Sequence, residues 1–171
     1  IRVQVVADSN TTTLYSRTGE DITGSFPELK MPAGFVGVID GELLARRSDM
    51  ERLAPGTFND LQQRLNRKAP PQKLIEGSPV FVRAYDLLQT GEHDMRSQTT
   101  MERRQALVDV LSAVRPDFMD ASEHVEFGHF EALDRMRRLP PDPAIEGVML
   151  KRKDAAYVAG RAGGLWYKWK K

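Results

Sequence analysis

Strand-like segments in this chain do not alternate with helical ones, and that irregularity constrains the fold more than any other feature. Arg2–Val6 and Thr11–Ser16 read as β-rich runs separated by Ala7–Asn10, a spacing that predicts a hairpin. Phe35–Arg46 and Val80–Leu88 read as longer strands, the second bounded by Gly77 and Pro79 before it and Gly91 after it. Met119–Val125 is a shorter strand candidate, and Ile145–Arg152 and Leu165–Lys170 close the chain as strands. Helical spacing is confined to Phe58–Asn66, Glu102–Val114 and His129–Leu139, the last ended by Pro140-Pro141. Phe26–Lys30 is expected to form a short helical turn. The missing β–α rhythm disfavours a doubly wound parallel sheet. The class expected is α+β, with mainly antiparallel sheets flanked by helices.

At 171 residues one compact core is expected, with Pro70-Pro71 and Pro140–Pro143 as exposed connections rather than domain boundaries. No stretch approaches the roughly 20 apolar residues that cross a bilayer, so no membrane partner is expected. With no cysteine, disulfides and thiolate metal sites are excluded, and the expected location is cytoplasmic. Ile1 is not methionine and Arg2–Val6 already reads as a strand, which predicts a piece of a longer protein. The net charge of +1 conceals an asymmetry: residues 146–171 hold seven Lys/Arg against two Asp/Glu. That cationic end also carries Tyr157, Trp166, Tyr167 and Trp169, a composition suited to phosphate or nucleic acid, or to a solvated tail.

Strand parity groups the chemistry-bearing residues. In Leu165–Lys170, Trp166, Lys168 and Lys170 share one face, which sets two ammonium groups about 7 Å apart. Such a pair either clasps a polyphosphate or decorates an edge strand. Asp40 and Glu42 share a face of an otherwise apolar strand, where carboxylates are costly unless paired or bound to a cation such as Mg²⁺. A plain hairpin turn at Asp40-Gly41 is the other reading. Glu146 has Gly147 beside it, leaving room for a ligand to approach, and Lys151 is opposite in parity to Glu146. Lys151 therefore ranks below Lys168 and Lys170. Tyr85 shares a face with Phe81, Arg83 and Leu87, as core or as a stacking plate for a base. The three histidines show no metal-ligand spacing, and Gly160–Gly164 reads as a turn.

In order along the chain, Asp40-Gly41-Glu42, Ala84-Tyr85-Asp86-Leu87-Leu88, Glu146-Gly147-Val148-Met149-Leu150-Lys151 and Trp166-Tyr167-Lys168-Trp169-Lys170 resemble the successive motifs of the covalent nucleotidyltransferases. Ser16–Thr23, Leu61-Gln62-Gln63-Arg64-Leu65 and Glu102-Arg103-Arg104 resemble segments of ATP-dependent DNA ligases, which favours them over RNA ligases and mRNA-capping guanylyltransferases. Ile1-Arg2 is similar to the end of the family's Lys-x-Asp-Gly-x-Arg motif, whose lysine would stand four positions before Ile1.

The resemblance implies a nucleotidyltransferase (ATP-grasp-like) fold over residues 1–171, without the OB-fold domain that follows in the family. It implies a lysyl-AMP made from ATP, transfer of AMP to the 5′-phosphate of nicked double-stranded DNA, and sealing of the strand by an intact enzyme that acts as a monomer of bacterial or archaeal type. By itself the chain would lack the nucleophile and act at most as a binding module. On this basis Lys168 and Lys170 bind the α-phosphate. Glu42 and Glu146 organise Mg²⁺ and the ribose, with Asp40 supporting Glu42. Tyr85 stacks on adenine, Arg2 touches the ribose, and Arg17 contacts the DNA 5′-phosphate.

Overall fold

The structure, a computed structural model, describes residues 1–50, 53–160 and 163–171. Residues 161–162 of the glycine-rich stretch lie outside it, while Gly163–Leu165 form a turn. The large sheet begins with a hairpin, β1 (Arg2–Asp8) and β2 (Thr11–Ser16), where sequence alternation anticipates one. β3 (Gly37–Ala45) pairs with the other edge of β1, and β4 (Val80–Thr90) pairs with β3, all antiparallel. β5 (His93–Asp94) adds to β4, and β6 (Met119–Ala121) joins β4 in parallel. The order is β2-β1-β3-β4-β5, with β6 beside β4. A separate two-stranded sheet pairs β7 (Gly147–Lys151) with β8 (Trp166–Lys170). The α+β class with mainly antiparallel sheets is what forms.

The helices show which local signals decide. α3 (Thr100–Val114) starts two residues before the expected Glu102, because Thr99 and Glu102 close a capping box. It ends at Arg115, whose left-handed φ of 48° breaks the helix ahead of Pro116. α1 spans only Phe58–Gln62 instead of running to Asn66: Arg64 turns inward, and Asn66 reverses the chain at φ 63°. α2 (Gln72–Gly77) was not foreseen, since none of its residues is buried and it carries no apolar stripe. α4 (Phe130–Arg138) falls where expected, with His129 as its cap. A turn closed by the Leu29 amide on Phe26 O at 3.1 Å forms within Phe26–Lys30, and a 3-10 turn precedes it at Thr23–Ser25, where Thr23 Oγ1 accepts from the Leu14 amide at 2.9 Å. Among the described residues, no helix is long and apolar enough to cross a membrane.

Val3, Val5, Leu14, Ile39, Leu43 and Leu87 form the centre of the core, on one face of the large sheet, with Leu107 of α3 packed against it. Arg64 is sealed inside, 0% exposed. Its guanidinium donates to the carbonyls of Ser25 (2.8 Å) and Ser78 (3.0 Å), pairs with Glu28 at 2.8 Å, and lies 5.2 Å from the Phe26 ring centroid. One side chain thus joins the 23–30 loop to the segment entering β4. Arg64→Met is expected to lower the unfolding free energy by about 2–4 kcal/mol, because buried carbonyls lose their donors. Arg64→Lys should fall between, lacking the planar fork. Denaturant midpoints at unchanged slope measure both.

Candidate functional site

On the face opposite the core, β1 and β3 align four polar side chains. Alternation turns Val3 and Val5 inward and leaves Arg2 and Gln4 outward; along β3, Ile39 and Leu43 go inward and Asp40 and Glu42 outward. Register sets Gln4 opposite Asp40 and Arg2 opposite Glu42. Asp40 and Glu42 share a face as their spacing predicts, and Asp40-Gly41 is continuous strand, not a turn. Gly41 faces inward, where a Cβ would lie 2.6 Å from Val82 Cγ1.

Asp40 is 1% exposed and accepts three hydrogen bonds: from Arg2 Nη2 (2.9 Å), Gln4 Nε2 (2.9 Å) and the Tyr157 hydroxyl (3.2 Å). Arg2 also donates to Tyr157 Oη at 3.3 Å. These contacts make Asp40 the counterion and brace of Arg2, which stands opposite Glu42 in the sheet. Burial opposes the Arg2 charge, but Tyr85, Asp40 and Tyr157 outweigh it and push its pKa up. The guanidinium is a fixed cation, with its side chain 48% exposed.

Tyr85 lies beside this cluster at a bulge, where the β3–β4 register slips between Asp40 and Gly41. Val80, Val82 and Ala84 belong to the core, and beyond the slip so does Leu87. The expected grouping of Tyr85 with Leu87 on one face therefore fails, since the extra residue shifts the alternation. Burial, only partly countered by Arg2, raises the Tyr85 pKa, so the phenol stays neutral. The Lys151 ammonium sits 4.9 Å from its ring centroid.

Lys151 comes from the second sheet. There Lys170 opposes Gly147, Lys168 opposes Met149 and Trp166 opposes Lys151. Directly opposed residues share a face, so Lys151, Lys168 and Lys170 project together. The parity expected to separate Lys151 from Glu146 does not hold across the site: Glu146 precedes β7, and Gly147 at φ 151° breaks the alternation. Lys168 Nζ reaches Glu146 Oε2 at 3.4 Å. Nor does Gly147 admit a ligand. A Cβ there would collide with the Trp169 carbonyl and lie 2.7 Å from Lys170 Cα, so the space belongs to β8. Lys151 is exposed by area yet crowded by protein, and burial, against the pull of Asp86 and aided by Arg103, lowers its pKa.

The Glu42 side chain is 45% exposed, and Glu146 is mostly solvent-exposed beside Lys168. Among the described residues no group of three His, Cys, Asp or Glu side chains could hold a metal. Glu42 lies in the large sheet and Glu146 just before β7, and both are accessible oxygen donors of the kind that suits magnesium. Arg17 follows β2 and lines an open concavity of about 300 Å³ with Arg2, Gln4, Tyr15, Ser16 and Asp40. Glu42, Tyr85, Glu146 and Lys168 are not among its walls, and Lys170 stands at the far end of the β7–β8 ladder from Lys151.

Sequence reading missed Tyr157, Gln4 and the function of Arg103. Arg103, 3% exposed, makes a two-pronged pair with Asp86 (2.7 and 3.0 Å) and donates to Gln98 O and Ala155 O, with its guanidinium 5.8 Å from the Tyr157 ring centroid. A buried aspartate demands donors, but Gln4 meets Asp40 across the β1–β3 pairing, which the predicted β1–β2 hairpin does not supply. Tyr157 sits in irregular chain 117 residues from Asp40, where no local periodicity marks it.

Residues 1–170 match the family described as ATP dependent DNA ligase domain. DNA ligase 2 of Methanosarcina acetivorans is 29% identical over 98% of this chain and 30% of its own length. A probable DNA ligase of Anaeromyxobacter sp. is 33% identical over 99% of this chain and 32% of its own. The chain thus spans about a third of the length of these curated relatives. The ligase domain of M. tuberculosis LigD superposes with a TM-score of 0.75 at 26% identity, over 99% of this chain and 51% of that one. A mycobacterial DNA ligase D complexed with ATP and MES gives the same score and identity, with 50% of its chain covered. Ordered motifs, a two-sheet fold and a match over nearly the whole chain agree: this chain belongs to the ATP-dependent DNA ligase family and is its adenylation, or nucleotidyltransferase, domain.

Proposed function

We propose that the chain binds ATP on the outer face of the large sheet and serves the three phosphoryl transfers of nick sealing in double-stranded DNA. The observation that carries this reading is the Arg2 cation, braced by buried Asp40 beside the Tyr85 ring, with lysines presented by the second sheet. Adenine stacks on Tyr85, exchanging the Lys151 contact for base–aromatic stacking of about 1–3 kcal/mol. Arg2 holds the ribose. Lys168 and Lys170 approach the α-phosphate, where they neutralise the charge that develops as a new bond to phosphorus forms and the pyrophosphate leaves. Glu42 and Glu146 would hold Mg²⁺, which would supply further charge neutralisation at the phosphates. Nearby cations and desolvation lower the pKa of an attacking lysine amine. Arg17, across the concavity from Asp40, takes the 5′-phosphate of the nick.

The full-length protein incubated with ATP and Mg²⁺ should gain one AMP by intact mass, and should pass it to nicked DNA in preference to nicked RNA. An unmodified mass, or sealing of RNA alone, overturns the reading. Lys168→Ala should slow adduct formation by roughly 100-fold, the usual effect of removing one transition-state donor. Single-turnover rates decide; an unchanged rate removes Lys168 from the phosphate site. Arg17→Ala should leave adenylation intact while weakening DNA binding, with the salt-dependence slope smaller by about 1. Slower adenylation with normal sealing would assign Arg17 to the wrong step.

A further inference from the structure

We infer that Tyr157 is a positioning residue of the nucleotide site, holding the Arg2 guanidinium in place through its hydroxyl. The inference rests on the ATP-binding reading above. Tyr157 follows β7 by six residues and, beside the Lys151–Tyr85 contact, is a point where chain from the second sheet meets the outer face of the first. Its hydroxyl is engaged on both sides, donating to Asp40 Oδ2 at 3.2 Å and accepting from Arg2 Nη2 at 3.3 Å. Asp40 and Arg2 also bond each other at 2.9 Å, so the three side chains close a ring of hydrogen bonds.

The rest of the residue is anchored so that the hydroxyl has one place to go. Its amide donates to Arg96 O at 2.8 Å. Two residues upstream, Ala155 O accepts from Thr100 Oγ1 (3.1 Å) and Arg103 Nη1 (3.3 Å), both on α3. The Arg103 guanidinium, itself locked to Asp86, lies near the ring. Ring and backbone are therefore fixed by contacts that do not involve the hydroxyl. Burial and Asp40 raise the phenol pKa, which keeps it protonated and able to donate.

Removing only the oxygen leaves Arg2–Asp40 and Gln4–Asp40 in place, so the fold should persist while the exposed guanidinium gains freedom. Arg2 is assigned to the ribose, away from the reacting phosphorus, where an interaction is equally strong in the ground and transition states. Loss of such an interaction raises KM and leaves the maximal rate alone. A purely structural hydroxyl would instead change thermal stability and not KM.

The test is Tyr157→Phe in the full-length protein, read by the rate of lysyl-AMP formation against ATP concentration. KM for ATP should rise about tenfold, as expected for a lost hydrogen bond to a charged group. The maximal rate and thermal midpoint should stay close to wild type. Because the hydroxyl acts through Arg2, Tyr157→Phe should add nothing further in an Arg2→Lys background. Tyr157→Ala, which also removes the ring from Arg103, should lower the thermal midpoint and so shows what structural damage looks like. An unchanged KM, a fall in maximal rate alone, or additive effects with Arg2→Lys each overturn the inference. Failure of the wild-type protein to form lysyl-AMP would instead overturn the proposed function, so the two failures are told apart.

Discussion

The burial of one carboxylate organises the candidate site. Asp40 points away from the core yet is almost wholly removed from water. An isolated buried carboxylate costs several kcal/mol, so the surroundings must supply donors. Three side chains do so: Arg2 and Gln4 from β1, beside it in the sheet, and Tyr157 from the distant chain after β7. The requirement fixes the β1–β3 register, orients Arg2 outward as a permanent cation, and ties the second sheet's chain to the first. Lys151 over the Tyr85 ring is a neighbouring contact in the same junction.

Two buried arginines do comparable work in the scaffold. Arg64 gathers the loop at 23–30 and the entry to β4, while Arg103 joins α3 to β4 and to the segment at 155–157. Each guanidinium meets carbonyl and carboxylate oxygens across irregular chain, where backbone ladders cannot reach. That suits arginine, which offers five donors in a planar fork. Through Arg103, the helix that packs on the core also steadies Tyr157, so the rigidity of the core extends to the outer face of the sheet.

Much of the sheet was legible in the sequence, and the reason is alternation. β2, β3, β7 and β8 fall within segments predicted from runs of β-type residues, and β1 and β4 each run two residues past theirs. The same parity put Asp40 with Glu42, and Lys168 with Lys170, on common faces. Alternation misleads where a residue is inserted or a glycine leaves the extended region. The slip at Tyr85 moves Leu87 into the core, and Gly147 brings Glu146 to Lys168 although strict parity relates Glu146 otherwise. Helix ends followed capping boxes rather than apolar periodicity, and α2, with nothing buried, left no periodic signature at all.

By itself the sequence determined the class of fold and the family, because strand parity and ordered motifs are properties of local chain that survive without coordinates. It also named Arg2, Asp40, Glu42, Tyr85, Glu146 and Lys168 as polar groups worth watching. Only the tertiary structure decided their partners. Asp40 holds Arg2, Lys151 covers Tyr85, and Tyr157 closes the ring of hydrogen bonds from 117 residues away. Those pairings satisfy buried charges across chain with no regular period, and such a demand can be read from a sequence although its solution cannot.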